Sequence, residues 1–220
     1  MFIFWDTVYY IGSGIYVTAQ YTILSCILGT ILGFLFAIGQ INTNKFIKTI
    51  INGYTSIIVG TPLMVQLMFA YFAIPRILFI HIDAFWTILL AYSCNSAAYI
   101  SAHIRGGILA IDKGQFEAAQ TLGIPQWRTW LNIIMPQVLK NTTPSILNEF
   151  NTLLKETSLV SIVGEVDIMR RAQLVAAETY NYMTPFFIAA VWYYLASTGI
   201  QYLTRYINKV MFQKQLECHE

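Results

Sequence analysis

The chain has little charge to place: 11% of its 220 residues are Asp, Glu, Lys or Arg, and the formal net charge is +2. So weak a balance, with no basic run interleaved with stacking aromatics, excludes a nucleic-acid-binding surface. Metal ligands are scarce too. His81, His103 and His219 form no H-x-x-x-H or H-E pattern, and Cys26, Cys94 and Cys218 form no C-x-x-C. No bound metal is expected, and the cysteines read as structural. No Ser or Cys shares a motif with a histidine, which removes the nucleophile-and-base arrangement of a hydrolase or transferase. The phosphate-cradling pattern G-x-x-x-x-G-K-[ST] is missing as well. The opening MFIFWDTVYY lacks the positive start and small-residue cleavage site of a signal peptide. It reads as an interfacial anchor, with Trp5, Tyr9 and Tyr10 at headgroup level.

What is abundant is apolar. The chain is 56% hydrophobic and 15% aromatic, with a mean hydropathy of +0.56, beyond the range of soluble domains. An all-α integral membrane protein is expected, with residues 1–220 forming a single transmembrane domain. Segments 15–40, 49–74, 84–104 and 186–204 approach the roughly 20 apolar residues that cross a hydrocarbon core. Gly29 and Gly33 stand in GxxxG spacing, which allows either close packing within the chain or a dimer seam.

Lys45 and Lys48 follow the first span, Arg105, Lys113 and Arg128 the third, and Arg205, Lys209 and Lys214 the last; all three clusters are expected in the cytoplasm. Three spans then run inward, so the chain must cross back between Trp130 and Pro185. Only 131–154 is long enough, although it carries Lys140, Asn141, Asn148, Glu149 and Asn151 besides Pro136 and Pro144. Five spans result, amino end outside and carboxyl end inside. Polar groups at membrane depth need protein or water as partners, so the fourth span is expected to line a pathway; a re-entrant or interfacial segment is the alternative. Gly60-Thr61-Pro62 interrupts the second span, either as part of that pathway or as a packing kink. After Leu154, KETSLVSIVGEVDIMRR sets Glu156, Glu165 and Asp167 beside the proposed pathway.

Between the third and fourth spans lies GQFEAAQTLGIPQWRTWLNIIMP, residues 114–136. Asp112 and Gln115 have capping-box spacing, and Gly123 with Pro125 stops the helix. A helix over 112–123 is too short to stand alone in water and needs a surface to dock on. Ala118, Ala119 and Leu122 fall on one face, with Glu117 and Gln120 to the side.

These residues carry a resemblance. EAAQTLGIPQWRTWLNIIMP resembles the EAA loop of ABC-transporter membrane subunits, in which EAA is followed after three residues by Gly and ends on an aliphatic residue and Pro. GTPLMVQLMFAYFAIP, NSAAYI, RGGI and KETSLVSIVGE are similar to the polar amino acid branch, the histidine and glutamine permeases, and the matching order runs from about Gly14 to Lys209. The resemblance implies a type I importer fold whose EAA segment is a cytoplasmic coupling helix docking on a separate ATPase. Gln115, Glu117, Ala118, Ala119, Leu122 and Gly123 are the coupling candidates. It further implies a second membrane subunit, identical or paralogous, an external amino acid-binding protein, import as the direction, and no cofactor of the chain's own, since ATP binds the partner.

For a polar amino acid the contact candidates are Thr61, Gln66, Asn95, Ser96, Glu156, Thr157 and Ser158. Asn148, Glu149, Glu165 and Asp167 are expected to line the pathway, and the three carboxylates Glu149, Glu165 and Asp167 to add negative potential that favours basic or polar amino acids. Interhelical hydrogen bonding is the alternative for each. Two positions depart from the family: Val59 stands where relatives carry Arg before GTPL, and Ala102 where they carry Glu. A buried pair lost together, an altered substrate, and groups supplied by a non-identical partner are the three readings. A carrier driven by an ion gradient is the alternative function.

Overall fold

Helices account for the fold, and several of their breaks fall where the sequence removes a backbone donor. The computed structural model describes residues 4–41 and 44–216, with side chains to 210; Cys218, His219 and the Lys214 side chain lie outside the described residues. Helix α1 (Phe4–Gly12) turns at Ser13-Gly14 into α2 (Ile15–Ile41). Asn44 caps α3 (Lys45–Val59) by accepting the Phe46 amide at 3.0 Å. Next come α4 (Leu63–Met68), a π-helical turn (Phe69–Ala73) and α5 (Ile74–Leu78). The chain continues as α6 (Ala84–Leu109), α7 (Lys113–Thr121), α8 (Gln126–Arg128), a second π segment (Thr129–Ile134) and α9 (Met135–Glu156). A 3-10 turn (Thr157–Val163), α10 (Ile168–Thr179) and α11 (Met183–Leu216) complete it.

Both π segments stand just ahead of a proline, Pro75 and Pro136. Proline has no N–H for the carbonyl four residues back, and its ring crowds that carbonyl; a wider turn moves it aside. The second span, 49–74, is interrupted at Gly60-Thr61-Pro62 as its sequence indicates. Its halves, Lys45–Val59 and Leu63–Leu78, are bent by 106°, because Pro62 cannot donate to the Ile58 carbonyl and the helix stops there.

Phe4–Ile41 and Met183–Val210 are long and apolar enough to cross a membrane, with the bent pair as a third candidate. The more polar α6 and α9 have 26 and 22 residues. They reach about 39 and 33 Å, enough for a hydrocarbon core of about 30 Å.

The main packing is α2 on α6. A Cβ on Gly29 would lie 2.7 Å from Ser96 Cβ, and one on Gly33 would lie 2.9 Å from Ile100 Cβ. The GxxxG seam therefore serves a contact within the chain. The other face of α2 exposes Ile23, Ile27, Leu28, Ile31, Leu35 and Ile38, an aliphatic surface suited to lipid. One apolar cluster joins α2, α4, α6 and α9 through Tyr21, Leu67, Tyr92 and Leu153. A second joins α2 and α6 to the start of α9 through Ala37, Ile104, Ile134 and Val138. The third ties α1 to α10 and α11 through Ile11, Ile168, Ala172 and Ile188. Trp5 and Tyr9 are exposed as an interfacial anchor requires, but Tyr10 is partly buried, with the Arg171 guanidinium 4.9 Å from its ring centre.

Candidate functional site

Helix α7 is closed at both ends by its own residues. Asp112 Oδ1 accepts the Gly114 amide at 2.7 Å; no reciprocal bond from the Gln115 side chain accompanies it among the described residues. At the other end Gly123 takes φ +69°, a left-handed conformation that an L side chain resists. That lets the Gly123 and Ile124 amides reach the Gln120 and Ala119 carbonyls, each at 3.0 Å. Phe116 and Ala119 point inward: Ala119 is buried, and the Phe116 ring meets Trp130 edge-on with centroids 5.7 Å apart. Gln115, Glu117, Ala118, Leu122 and Gly123 are exposed. Ala119 thus departs from the docking face expected of it. Successive residues turn by about 100°, so Ala118 and Leu122 are displayed while Ala119 seats the helix.

At the break in the second span, Thr61, Gln66 and Asn95 come together. Thr61 Oγ1 donates to the Ile57 carbonyl at 2.8 Å, and Gln66 Nε2 donates to Thr61 Oγ1 at 2.8 Å. Asn95 Nδ2 donates to Gln66 Oε1 at 2.9 Å. Thr61 and Gln66 themselves stand in the wall of a cavity of about 560 Å³, whose other walls are mostly apolar, with Ile57, Val65, Phe69 and Leu90 among them. Its walls offer no charged partner for a zwitterion. Ser96 lies apart, fully buried under Gly29, and is not a pathway residue in this conformation.

The carboxylates gather around α9. Glu149 is 7% exposed and Asn148 is exposed. Glu156 is half-buried, and its carbonyl accepts the Tyr92 hydroxyl at 2.8 Å. Thr157 is buried and donates to the Leu154 carbonyl at 2.7 Å; Ser158 is half-buried, its carbonyl accepting Ser161 Oγ. Glu165 is half-buried. Asp167, expected to line the pathway, has no exposed surface. One of its oxygens caps α10 by accepting the Arg170 amide at 2.8 Å, and the other accepts the Tyr193 hydroxyl at 2.8 Å. Burial pushes its carboxyl above the ordinary aspartate value, against the pull of these hydrogen bonds. Asp167 is a structural cap here.

Two features went unread in the sequence. Tyr194, Ser197, Thr198, Gln201 and Arg205 line a polar cavity of about 210 Å³ along α11, and Ser197 Oγ donates to Asn151 Oδ1 at 2.8 Å. The spacing of Ser197, Gln201 and Arg205, four residues apart in an apolar span, was the available signal. The second is a cleft of about 520 Å³ between α6 and α9, with Ala102, Gly106, Gly107, Asn141 and Ser145 among its walls. Val59, 43% exposed, stands at the end of α3. The break beyond it is held near Asn95, about 10 Å along α6 from Ala102.

Residues 29–213 match the family described as binding-protein-dependent transport system inner membrane component. A putative glutamine transport system permease protein of Rickettsia conorii is 45% identical over 94% of this chain and 95% of its own length. The arginine transport system permease protein of Bacillus subtilis is 42% identical over 91% of each chain. A solved amino acid ABC transporter chain, crystallised with histidines, superposes with a TM-score of 0.87 at 32% identity, covering 95% of this chain and 99% of that one. A methionine ABC transporter chain at 17% identity, with a TM-score of 0.78, shares the fold. The chain belongs to the family of binding-protein-dependent transport system inner membrane components, multi-pass subunits of ABC importers.

Proposed function

We propose that this chain is the membrane-spanning permease subunit of an ATP-driven importer of polar amino acids. A cytoplasmic ATPase docks on α7, a second membrane subunit completes the pathway, and an external binding protein delivers substrate. The observation that carries this reading is α7: a capped helix of nine residues seated by Phe116 and Ala119 that displays Gln115, Glu117, Ala118 and Leu122. A helix so short is not stable on its own and serves no gradient-driven carrier, whereas a motor chain needs such a handle. Motion of α7 reaches α9 through the Phe116–Trp130 contact. The α9 face carrying Asn148, Glu149 and Glu156, with the polar side of α11, supplies acceptors for an ammonium group and for a basic or amide side chain. The relatives named for glutamine and arginine transport fit that chemistry.

The test is reconstitution of the chain with its ATPase and binding protein in proteoliposomes, followed by uptake of labelled glutamine and arginine. Uptake should require ATP and fall to background with Glu117→Ala. Uptake on an ion gradient without the ATPase would refute the assignment.

A further inference from the structure

We propose that Gln66 and Asn95 are positioning residues: together they form an amide latch that fixes the bend of the second span, and neither holds the transported molecule. The proposal rests on the permease reading and assigns the break a structural mechanism.

The need for a latch follows from the backbone. In an unbroken helix the Ile58 carbonyl would accept from residue 62, which is Pro62 and has no N–H. The Thr61 carbonyl would accept from Val65, but the Val65 amide goes to the Pro62 carbonyl at 3.0 Å. The Thr61 carbonyl thus loses its regular donor, and the Ile58 carbonyl keeps only a long 3.5 Å bond from the Thr61 amide, in a span where a poorly paired polar group is costly. Gln66 Nε2 replaces the missing donors. It lies 2.8 Å from the Ile58 carbonyl and 3.0 Å from the Thr61 carbonyl, besides 2.8 Å from Thr61 Oγ1.

One side chain on α4 therefore grips the end of α3 across the break. Its own orientation is fixed from a third helix, because Asn95 Nδ2 donates to Gln66 Oε1 at 2.9 Å and Asn95 is only 2% exposed in α6. The chemistry is that of two carboxamides in series: α6 holds Asn95, Asn95 turns the Gln66 amide so that its NH₂ faces the break, and the NH₂ holds α3. Leu63 and Leu67, on either side of Gln66, pack into the core with Tyr92 and Leu153. The latch is thereby anchored against the α9 side of the molecule.

The bend can be read directly with spin labels at Ile50 on α3 and Ile77 on α5, both well exposed, in the full chain assembled with its ATPase and with the three native cysteines replaced. Without substrate, Gln66→Leu and Asn95→Leu should each broaden and shift the distance between the labels. Both changes together should do no more than either alone, as for links of one chain. The exchanged pair, Gln66→Asn with Asn95→Gln, should restore a narrow distribution.

In uptake assays each leucine variant should lower the maximum rate by about tenfold, the scale of leaving a buried amide unpartnered, while the KM for glutamine and arginine stays within about twofold. Should a leucine variant not assemble, Gln66→Glu gives the same reading, because a carboxylate keeps the size and loses the donor. An unchanged label distance in Gln66→Leu, Asn95→Leu or Gln66→Glu, or a KM rise with the maximum rate intact, would overturn the latch and make the amides substrate contacts. The distance measurement needs no transport, so a failed latch and a failed permease assignment are told apart.

Discussion

At Gly29 the margin is less than one methyl group. An added Cβ would meet Ser96 Cβ at 2.7 Å and its Oγ at 2.9 Å, so Gly29→Ala should destabilise the chain by about 1–3 kcal/mol through overpacking. Ser96→Gly in the same chain should recover most of that loss, read from melting in detergent. Asp167 makes a pH prediction. Its folded-state value lies above the ordinary 3.8, so the folded chain binds the proton more tightly than the unfolded one. Its contribution to stability therefore declines as pH rises from about 3.8 through the raised folded value. Tyr193→Phe removes a donor that pulls this value down and should steepen the decline. Asp167→Asn keeps a capping oxygen for the Arg170 amide and should flatten it, measured as melting temperature against pH. What the sequence made legible about residues was their polarity at depth; it did not tell which polar groups were already partnered. Gln66, Asn95, Thr157 and Asp167 stood out for the same reason as Asn148 and Glu156, and only geometry separates the first four, held by neighbours in the chain, from the last two.

Among the elements, α7 was the most legible, since Asp112, Gly123 and Pro125 punctuate it in ways that depend on local chemistry alone. The bend of the second span was half legible. Gly60 and Pro62 mark a break, but its 106° angle depends on Gln66 and Asn95, the second of them on another helix. Neither α10 nor the α1 packing beneath it is announced by hydropathy, because each is a short helix whose apolar face matches a partner distant in sequence. The two sides of α7 should separate by mutation. Glu117→Ala removes a displayed charge and should weaken retention of the ATPase on copurification. Phe116→Ala empties the contact with Trp130 and should leave retention near normal while uptake falls. Equal loss of retention in both variants would show that α7 does not divide its faces in this way.

For the whole molecule, the arrangement of charged ends makes a topology prediction. In right-side-out vesicles of a cysteine-free chain, Glu178→Cys at the end of α10 should react with an impermeant maleimide added outside. Glu117→Cys should react only after the vesicles are opened. The reverse pattern would invert the five-span reading, in which α6 and α9 cross despite their polar residues. The five-span count rests on where Lys and Arg fall along the chain, whereas the importer fold was legible only through the resemblance of the EAA segment and its companions; the 520 Å³ cleft was not legible, because it depends on which helices become neighbours, while the polar side of α11 stood in the spacing of Ser197, Gln201 and Arg205. The seam of α2 on α6 also bears on how the protein is made. Gly29 and Gly33 leave the ribosome well before Ser96 and Ile100 exist to meet them, so during synthesis the first helix has its closest-fitting face without a mate. Its aliphatic outer side can settle into lipid at once, while the glycine side must wait. The first helix therefore has to stay near the insertion site until the third arrives, and its pairing is an assembly step that the order of synthesis delays.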